Sequence, residues 1–480
     1  MSEMPDAVAM VELLQNGALT PAEAVGAAVK RAGQVNPRLN AIIETDYDAA
    51  LEAADGKSVA PGEALSGLPF LLKDYLQVAG GRAYQGNRLL KEKDLRFGWS
   101  SWVAEKLKGS GMISLGVTHA PEFGCGDCAC TSESQLYGPT RNPWNPDHTA
   151  MGSSGGAAAA VAAGIVPLAH GSDGGGSIRM PASACGLVGL KPGRGRLSQS
   201  PGAEGWGGGS TSGVLSRTVR DTALGLDVLS GPGPGDPLTA VYTPSSWSAL
   251  LDKPVGPLRI GMATDFSYTK ADKECRRAVT NAGTLLRELG HQVDEGYPVA
   301  LDEVQFGPEY MTVVNACIAQ ELAAWEPQLE RAWTEEDVEA GTWDALVSGR
   351  DVSASGFLTS QDWLRRWSGR VCSWWEQDGF DILMTPTLGL LPPKVGWLTA
   401  GDKMQRFGRQ FAVMPFTMQF NITGQPAISL PLHQSKKGLP VGVQLVAAMG
   451  REDILLQLAR QLEEACNWHE RRPQIFASDP

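Results

Sequence analysis

Between residues 152 and 190 the chain reads GSSGGAAAAVAAGIVPLAHGSDGGGSIRMPASACGLVGL. Side chains this small let backbones approach one another closely, so neighbouring elements must pack against the stretch at near-contact distance. Residues 157–163 read as a helix that admits only small neighbours, with GSSGG at 152–156 before it and SDGGGS at 172–177 after it. The second cluster runs straight into SIRMPASACGLVGLKP, an apolar segment that demands burial. A loop held rigid fits that context better than a flexible connector.

Neither cluster is a nucleotide site. A phosphate loop needs G-x-x-x-x-G-K-[ST], with a lysine that neither supplies, and the fingerprint G-x-G-x-x-G between strand and helix is also missing. What Gly174, Gly175 and Gly176 do offer is successive N–H groups able to converge on one oxygen, with Ser177 beside them as nucleophile. A serine hydroxyl needs a base. The histidines stand at 119, 148, 170, 291, 433 and 469, but no G-x-S-x-G elbow surrounds Ser177, and His170 reads as a structural, hydrogen-bonded residue. Lysine serves instead where burial keeps it neutral. Lys73 ends the short apolar strand in LSGLPFLLKDYLQVAGG.

The rest of the chain alternates helices and strands. Thr20, Pro21 and Glu23 supply an N-cap, a first-turn proline and a capping-box acid for a helix that Asn36 and Pro37 are expected to stop. The segment 257–300 predicts strand, helix, strand; DILMTPT, NITGQPAISLPL and GLPVGVQLV predict further strands, and EDILLQLARQLEEA a closing amphipathic helix. Residues of about 303–380 are helical and tryptophan-rich. Trp363, Trp367, Val371 and Trp374 share one helical face, read as core, with an aromatic pocket wall as the alternative. The loop SGPGPGDP at 230–237 is the nearest thing to a linker.

A formal charge of −12 without a long basic block argues against direct nucleic-acid binding. MSEMPDAVAM carries acids where a secretory signal carries Lys or Arg, and the apolar run 155–171 is short and broken by Pro167. A cytoplasmic location and no membrane contact are expected. Of the eight cysteines only CGDCAC at 125–130 is clustered, and a lone C-x-x-C is read as free thiols rather than zinc ligands.

Lys73 after a strand, GSSGG, and SDGGGSIRMPA with Ser177 placed 24 residues beyond Ser153 together resemble the amidase signature family. PEFG, YGPTRNPWN, GLVGLKPGRGRLS, SRTVRDTA, GQPAISLP and GLPVGVQLV follow in the family's order, so the resemblance spans most of the chain. It implies an α/β fold, a large twisted mixed β-sheet covered on both faces by α-helices. It further implies a single domain over 1–480, with a catalytic core of about 60–240 and 380–470 and the region of about 303–380 on the substrate side. By the same resemblance Ser177 is the nucleophile, Ser153 a bridging serine beside a cis peptide and Lys73 the general base. The N–H groups of Gly174, Gly175, Gly176 and Ser177 form an oxyanion hole, and no cofactor or metal takes part. Ser154, Asp173 and Arg179 are expected to support the loop, while Cys125, Cys128 and Cys317 are candidates for the substrate pocket.

Within the family the chain is most similar to the branch that opens cyclic 6-aminohexanoate oligoamides, on PFLLKD, RNPWN, AHGSD, TEEDVE and QLVAAMGREDILLQLARQLE. Met151 stands where the family usually has glycine, Ser172 where it has threonine, and Gly174 where it has a bulkier residue. The last change is expected to loosen the oxyanion loop. The expected activity is hydrolysis of a small, uncharged, apolar carboxamide; aryl amides, carbamates, or a glutaminase-type amidotransferase subunit acting in a complex are the alternatives. The expected partner is that small-molecule amide, and the expected state a monomer or homodimer.

Overall fold

The computed structural model describes residues 4–59, 63–202 and 204–478, so the first three residues of the acidic opening lie outside the described ones. Among these, eleven strands form one sheet: β1 Ile42–Thr45, β2 Pro69–Lys73, β3 Ile113–Thr118, β4 Leu168–Asp173, β5 Val188–Lys191, β6 Thr211–Ser216, β7 Arg259–Met262, β8 Gln292–Glu295, β9 Ile382–Pro386, β10 Ala427–Gln434 and β11 Pro440–Ala447. Their spatial order is β1-β3-β2-β4-β6-β5-β10-β11-β9-β7-β8. β2 is parallel to β3 and β4, β7 is parallel to β8 and β9, and the other pairs are antiparallel. Helices flank this mixed sheet. Its inner strands β5 and β11 are buried at every residue, which is why they read as mostly apolar rather than alternating, with Lys191 and Gln444 as buried polar exceptions.

The small-residue run sits at the centre. Helix Gly155–Ala162 is buried on all sides, and a Cβ on Gly156 would stand 2.3 Å from the His119 nitrogen and 2.6 Å from the Ala41 carbonyl oxygen. Only glycine permits that approach. β2 and β4 lie side by side with Leu71 opposite Ala169, so both end at the same sheet edge and deliver Lys73 and Asp173 to it. Helix Arg179–Cys185 follows the second cluster and stops at Gly186, whose φ of 74° gives a left-handed cap.

Two local expectations need correction, and a third, the tryptophan stripe, holds. The helix Pro21–Leu39 passes through Pro37 and ends at Asn40, φ 53°. Proline so near a helix end removes one hydrogen bond only, and Asn36 acts afterwards, its Oδ1 accepting from Ala41 N (2.9 Å) and Ile42 N (2.8 Å). NITGQP is not strand: Gln419–Ile422 is a single helical turn, and β10 begins at Ala427. On helix Ala354–Gln377 the tryptophan stripe is core, with Trp367 and Val371 fully buried, Trp374 nearly so and Trp363 half-buried. Trp367 packs on Phe306 with ring centroids 4.5 Å apart, and Trp374 stacks on Phe380 at 4.3 Å.

Candidate active site

Lys73, the last residue of β2, is 1% exposed. Its Nζ lies 2.6 Å from Ser153 Oγ and 2.8 Å from Ser172 Oγ, and among the described residues no carboxylate is within ion-pair distance of it. Burial pushes the ammonium down to about 7, against Asp173 and Asp74, which favour its charged form. Asp74 is buried too, and burial raises its carboxyl to about 7 despite donors from Gln85 N (3.0 Å) and Gly86 N (2.6 Å). The Gly152–Ser153 peptide bond is cis. Ser132 Oγ fixes its far side, donating to the Ser153 carbonyl (3.1 Å) and accepting from Gly155 N (3.0 Å).

The loop carrying Ser177 is organised by a buried ion pair. Asp173 accepts from Gly176 N (2.7 Å), Ile178 N (3.1 Å), Asn421 Nδ2 (2.9 Å) and, at both oxygens, the Arg179 guanidinium (2.8 and 3.0 Å). Arg179 also donates to the Thr417 carbonyl, Gln444 Oε1 and Asn421 Oδ1. Burial alone would raise the Asp173 carboxyl, but Arg179 and Asn421 outweigh it and hold it below the usual carboxylate range. Around the loop, Tyr310 Oη donates to the Gly174 carbonyl (3.2 Å), Thr417 Oγ1 to the Gly175 carbonyl (2.6 Å) and Ser154 N to the Ser177 carbonyl (3.1 Å). Ser154 Oγ also bridges to the backbone of Ser172 at 3.2 Å.

With its carbonyls held this way, the loop presents N–H groups. Gly176 N is committed to Asp173, whereas the N–H groups of Gly174, Gly175 and Ser177 meet no protein acceptor among the described residues. Of the four amides singled out in the sequence, three are therefore open to a ligand. Gly174 does not loosen the loop: a Cβ there would stand 2.9 Å from the Trp206 ring, so the indole occupies the space a larger side chain would take. Ser153 and Ser177 are neighbours across the Ser154–Ser177 contact, but no hydrogen bond joins their hydroxyls in this arrangement.

Ser177 opens into a cavity of about 480 Å³ whose wall includes Cys125, Cys128, Gly175, Tyr310, Trp206 and Met414. Helices Phe306–Ala323 and Ala340–Arg350 contribute to it through Val314 and Ala345, and none of the stripe residues at 363, 367, 371 and 374 does. Beyond Trp206, a cleft of about 1460 Å³ is lined by Ser172, Tyr75, His170 and Cys317 among others. Cys125 and Cys128 thus reach the Ser177 side, and Cys317 the other. All eight cysteines are unpaired thiols, and no group of three or more His, Cys, Asp or Glu among the described residues is arranged to hold a metal ion. His170 is buried, its Nε2 3.3 Å from Ser212 Oγ, and burial pushes it down to about 3, so it stays neutral. No helix among the described residues is long and apolar enough to cross a membrane.

Sequence reasoning missed Ser132, Trp206, Tyr310, Thr417, Asn421 and Gln444, and it noted Ser172 only as a departure. Ser172 carries a usable signal, since it lies one residue before the aspartate ending β4, on the strand beside Lys73. The others lie between 21 and 265 residues along the chain from the groups they touch, with no periodicity pointing at the loop.

The Amidase family model matches residues 23–456. A 6-aminohexanoate-cyclic-dimer hydrolase of Paenarthrobacter ureafaciens is 38% identical over 98% of this chain and 97% of its own length. The structure of a 6-aminohexanoate cyclic dimer hydrolase complexed with substrate superposes with a TM-score of 0.92 at 37% identity, covering 98% of this chain and 99% of that one. A bacterial aryl acylamidase of the amidase signature enzymes gives 0.85 at 27% identity, covering 98% of each. The chain belongs to the amidase signature family and is a hydrolase of carbon–nitrogen bonds.

Proposed function

We propose that the chain hydrolyses small apolar carboxamides through an acyl-enzyme on Ser177, with 6-aminohexanoate cyclic dimer as the candidate substrate. The observation that carries this reading is a buried lysine, held near neutrality, 2.6 Å from the hydroxyl of Ser153 next to a serine that opens into an apolar cavity. Neutral Lys73 accepts the Ser153 proton as Ser153 accepts that of Ser177, because a hydroxyl both donates and accepts. Ser177 Oγ then bonds to the carbonyl carbon, and the oxygen takes the negative charge under the N–H groups of Gly174, Gly175 and Ser177. Rotation of Ser177 about χ1 completes the hydrogen bond to Ser153 when substrate fills the cavity. The proton returns from Lys73 through Ser153 to the leaving nitrogen, the amine departs, and water cleaves the ester by the same relay.

Likeness to the cyclic-dimer hydrolases over nearly the whole chain supports the substrate, and the aromatic cleft beyond Trp206 favours aryl amides as a second reading. A cytoplasmic location, supported by eight free thiols, and a monomeric or homodimeric state belong to the same proposal. Ser177→Ala tests it: amine release from the cyclic dimer and from an anilide should fall about 10⁴-fold or more while the circular dichroism spectrum is unchanged. Turnover retained in the variant refutes the assignment.

A further inference from the structure

The hydrolysis above makes no use of the carboxylate in the larger cleft. Glu321, on helix Phe306–Ala323, faces that cleft and accepts from Tyr75 Oη (2.6 Å) and Gln85 Nε2 (2.5 Å). Trp325 Nε1 donates to Gln85 Oε1 (3.0 Å) and so fixes the amide's orientation. A carboxylate offers about four acceptor directions, so two remain for a ligand. The surrounding wall is aromatic: Tyr75, Phe97, Trp99, Trp206 and Trp325, with Phe97 centred 5.0 Å from Trp325 and 6.0 Å from Trp99. Glu204 adds a second acid, His170 is neutral, and Arg365 stands exposed at the rim.

Ring faces attract ammonium groups, and a carboxylate below the surface gains most from a cationic partner. Ser172, 2.8 Å from Lys73, belongs to the same wall, so the cleft reaches the lysine that supplies the departing amine's proton by way of Ser153. Resting on the acyl-enzyme reading for that proton transfer, we propose that the cleft is the leaving-group site and that Glu321 in its aromatic surround selects amides whose departing amine carries a second, cationic amino group. Among the carboxamides of the proposed function the preferred ones are mono-acylated α,ω-diaminoalkanes, uncharged amides such as the cyclic dimer are turned over less efficiently, and leaving groups ending in a carboxylate are rejected. Burial raises the Glu321 carboxyl to about 7, and a bound ammonium favours its ionised form.

Two measurements on the whole protein test this. Binding of hexylammonium and of hexanoate, followed by calorimetry, requires no turnover: hexylammonium should bind at least about tenfold more tightly, and Glu321→Gln should erase the difference. Equal affinities overturn the proposal. In the second, kcat/KM is compared for N-hexanoyl-1,6-diaminohexane and its neutral analogue N-hexylhexanamide, with N-hexanoyl-6-aminohexanoate as the anionic case. The ammonium-to-neutral ratio should be about ten or more in the wild type and fall towards one in Glu321→Gln, a ratio that is insensitive to the fraction of folded enzyme. A wild-type ratio of one, or a ratio the substitution leaves alone, overturns it. Preference for hexylammonium with no turnover of any amide would support the cation site and count against Ser177 acylation instead.

Discussion

Asp173, paired with Arg179, and Lys73, held by two serines, end adjacent strands and are equally buried, yet the structure treats their charges in opposite ways. Asp173 accepts from Arg179, Asn421 and three backbone amides, so its charge is compensated from every side and its carboxyl stays ionised. Lys73 has two hydroxyls and, among the described residues, no ion-pair partner, so desolvation wins and its ammonium gives up the proton near neutrality. The lesson is that burial sets both groups the same electrostatic problem, and the partners decide whether the answer is rigidity or reactivity.

Replacing each member should therefore fail differently. Lys73→Met keeps the volume of the stem and removes the base, so amide turnover should drop about 10⁴-fold with a melting temperature close to wild type. A large loss of stability in this variant would show that the lysine is a structural cation after all. Asp173→Asn leaves Arg179 with an uncompensated charge and should cost about 3–5 kcal/mol in urea unfolding, any loss of activity tracking the unfolded fraction. Wild-type stability with abolished activity would place Asp173 among the reacting groups instead. Ser172→Ala takes away one of the lysine's two oxygens, and about a tenfold fall in kcat/KM is expected, restored by Ser172→Thr, which keeps the hydroxyl. An undiminished Ser172→Ala enzyme would mean that the contact to Ser153 alone positions Lys73.

The difference between these regions also marks what could be read from the chain. Ser177 stood out beside successive glycine amides and Lys73 at the end of an apolar strand, whereas Ser153 was singled out only by resemblance to the family; the structure brings Lys73 and Ser153 into contact, and the close-packed helix between the clusters follows directly from its glycines and alanines. Asp173 and Arg179 were recognised as flanking supports, but the lattice around them was not, since Asn421 and Gln444 reach them from 242 and 265 residues away. Trp206 was hidden in a glycine-rich loop, where its φ of 55° and its filling of the space above Gly174 arise from tertiary packing alone. The helix through Pro37 shows the same limit from the local side: a proline biases a boundary, and the Asn36 side chain and the left-handed Asn40 place it three residues later. The tryptophan stripe, by contrast, was correctly read as core from its period.

The central claim is that an uncharged Lys73 activates Ser177, and the pH dependence of Ser177 phosphonylation by a fluorophosphonate probe tests it without reference to any substrate. The neutral amine is the active form, so the labelling rate should rise about tenfold per pH unit on the acid side and level off above a midpoint near the value of about 7 set by burial, with the mass increment on Ser177 and the slope absent in Lys73→Met. A rate independent of pH through that range, or the same acid limb in Lys73→Met, would contradict the account.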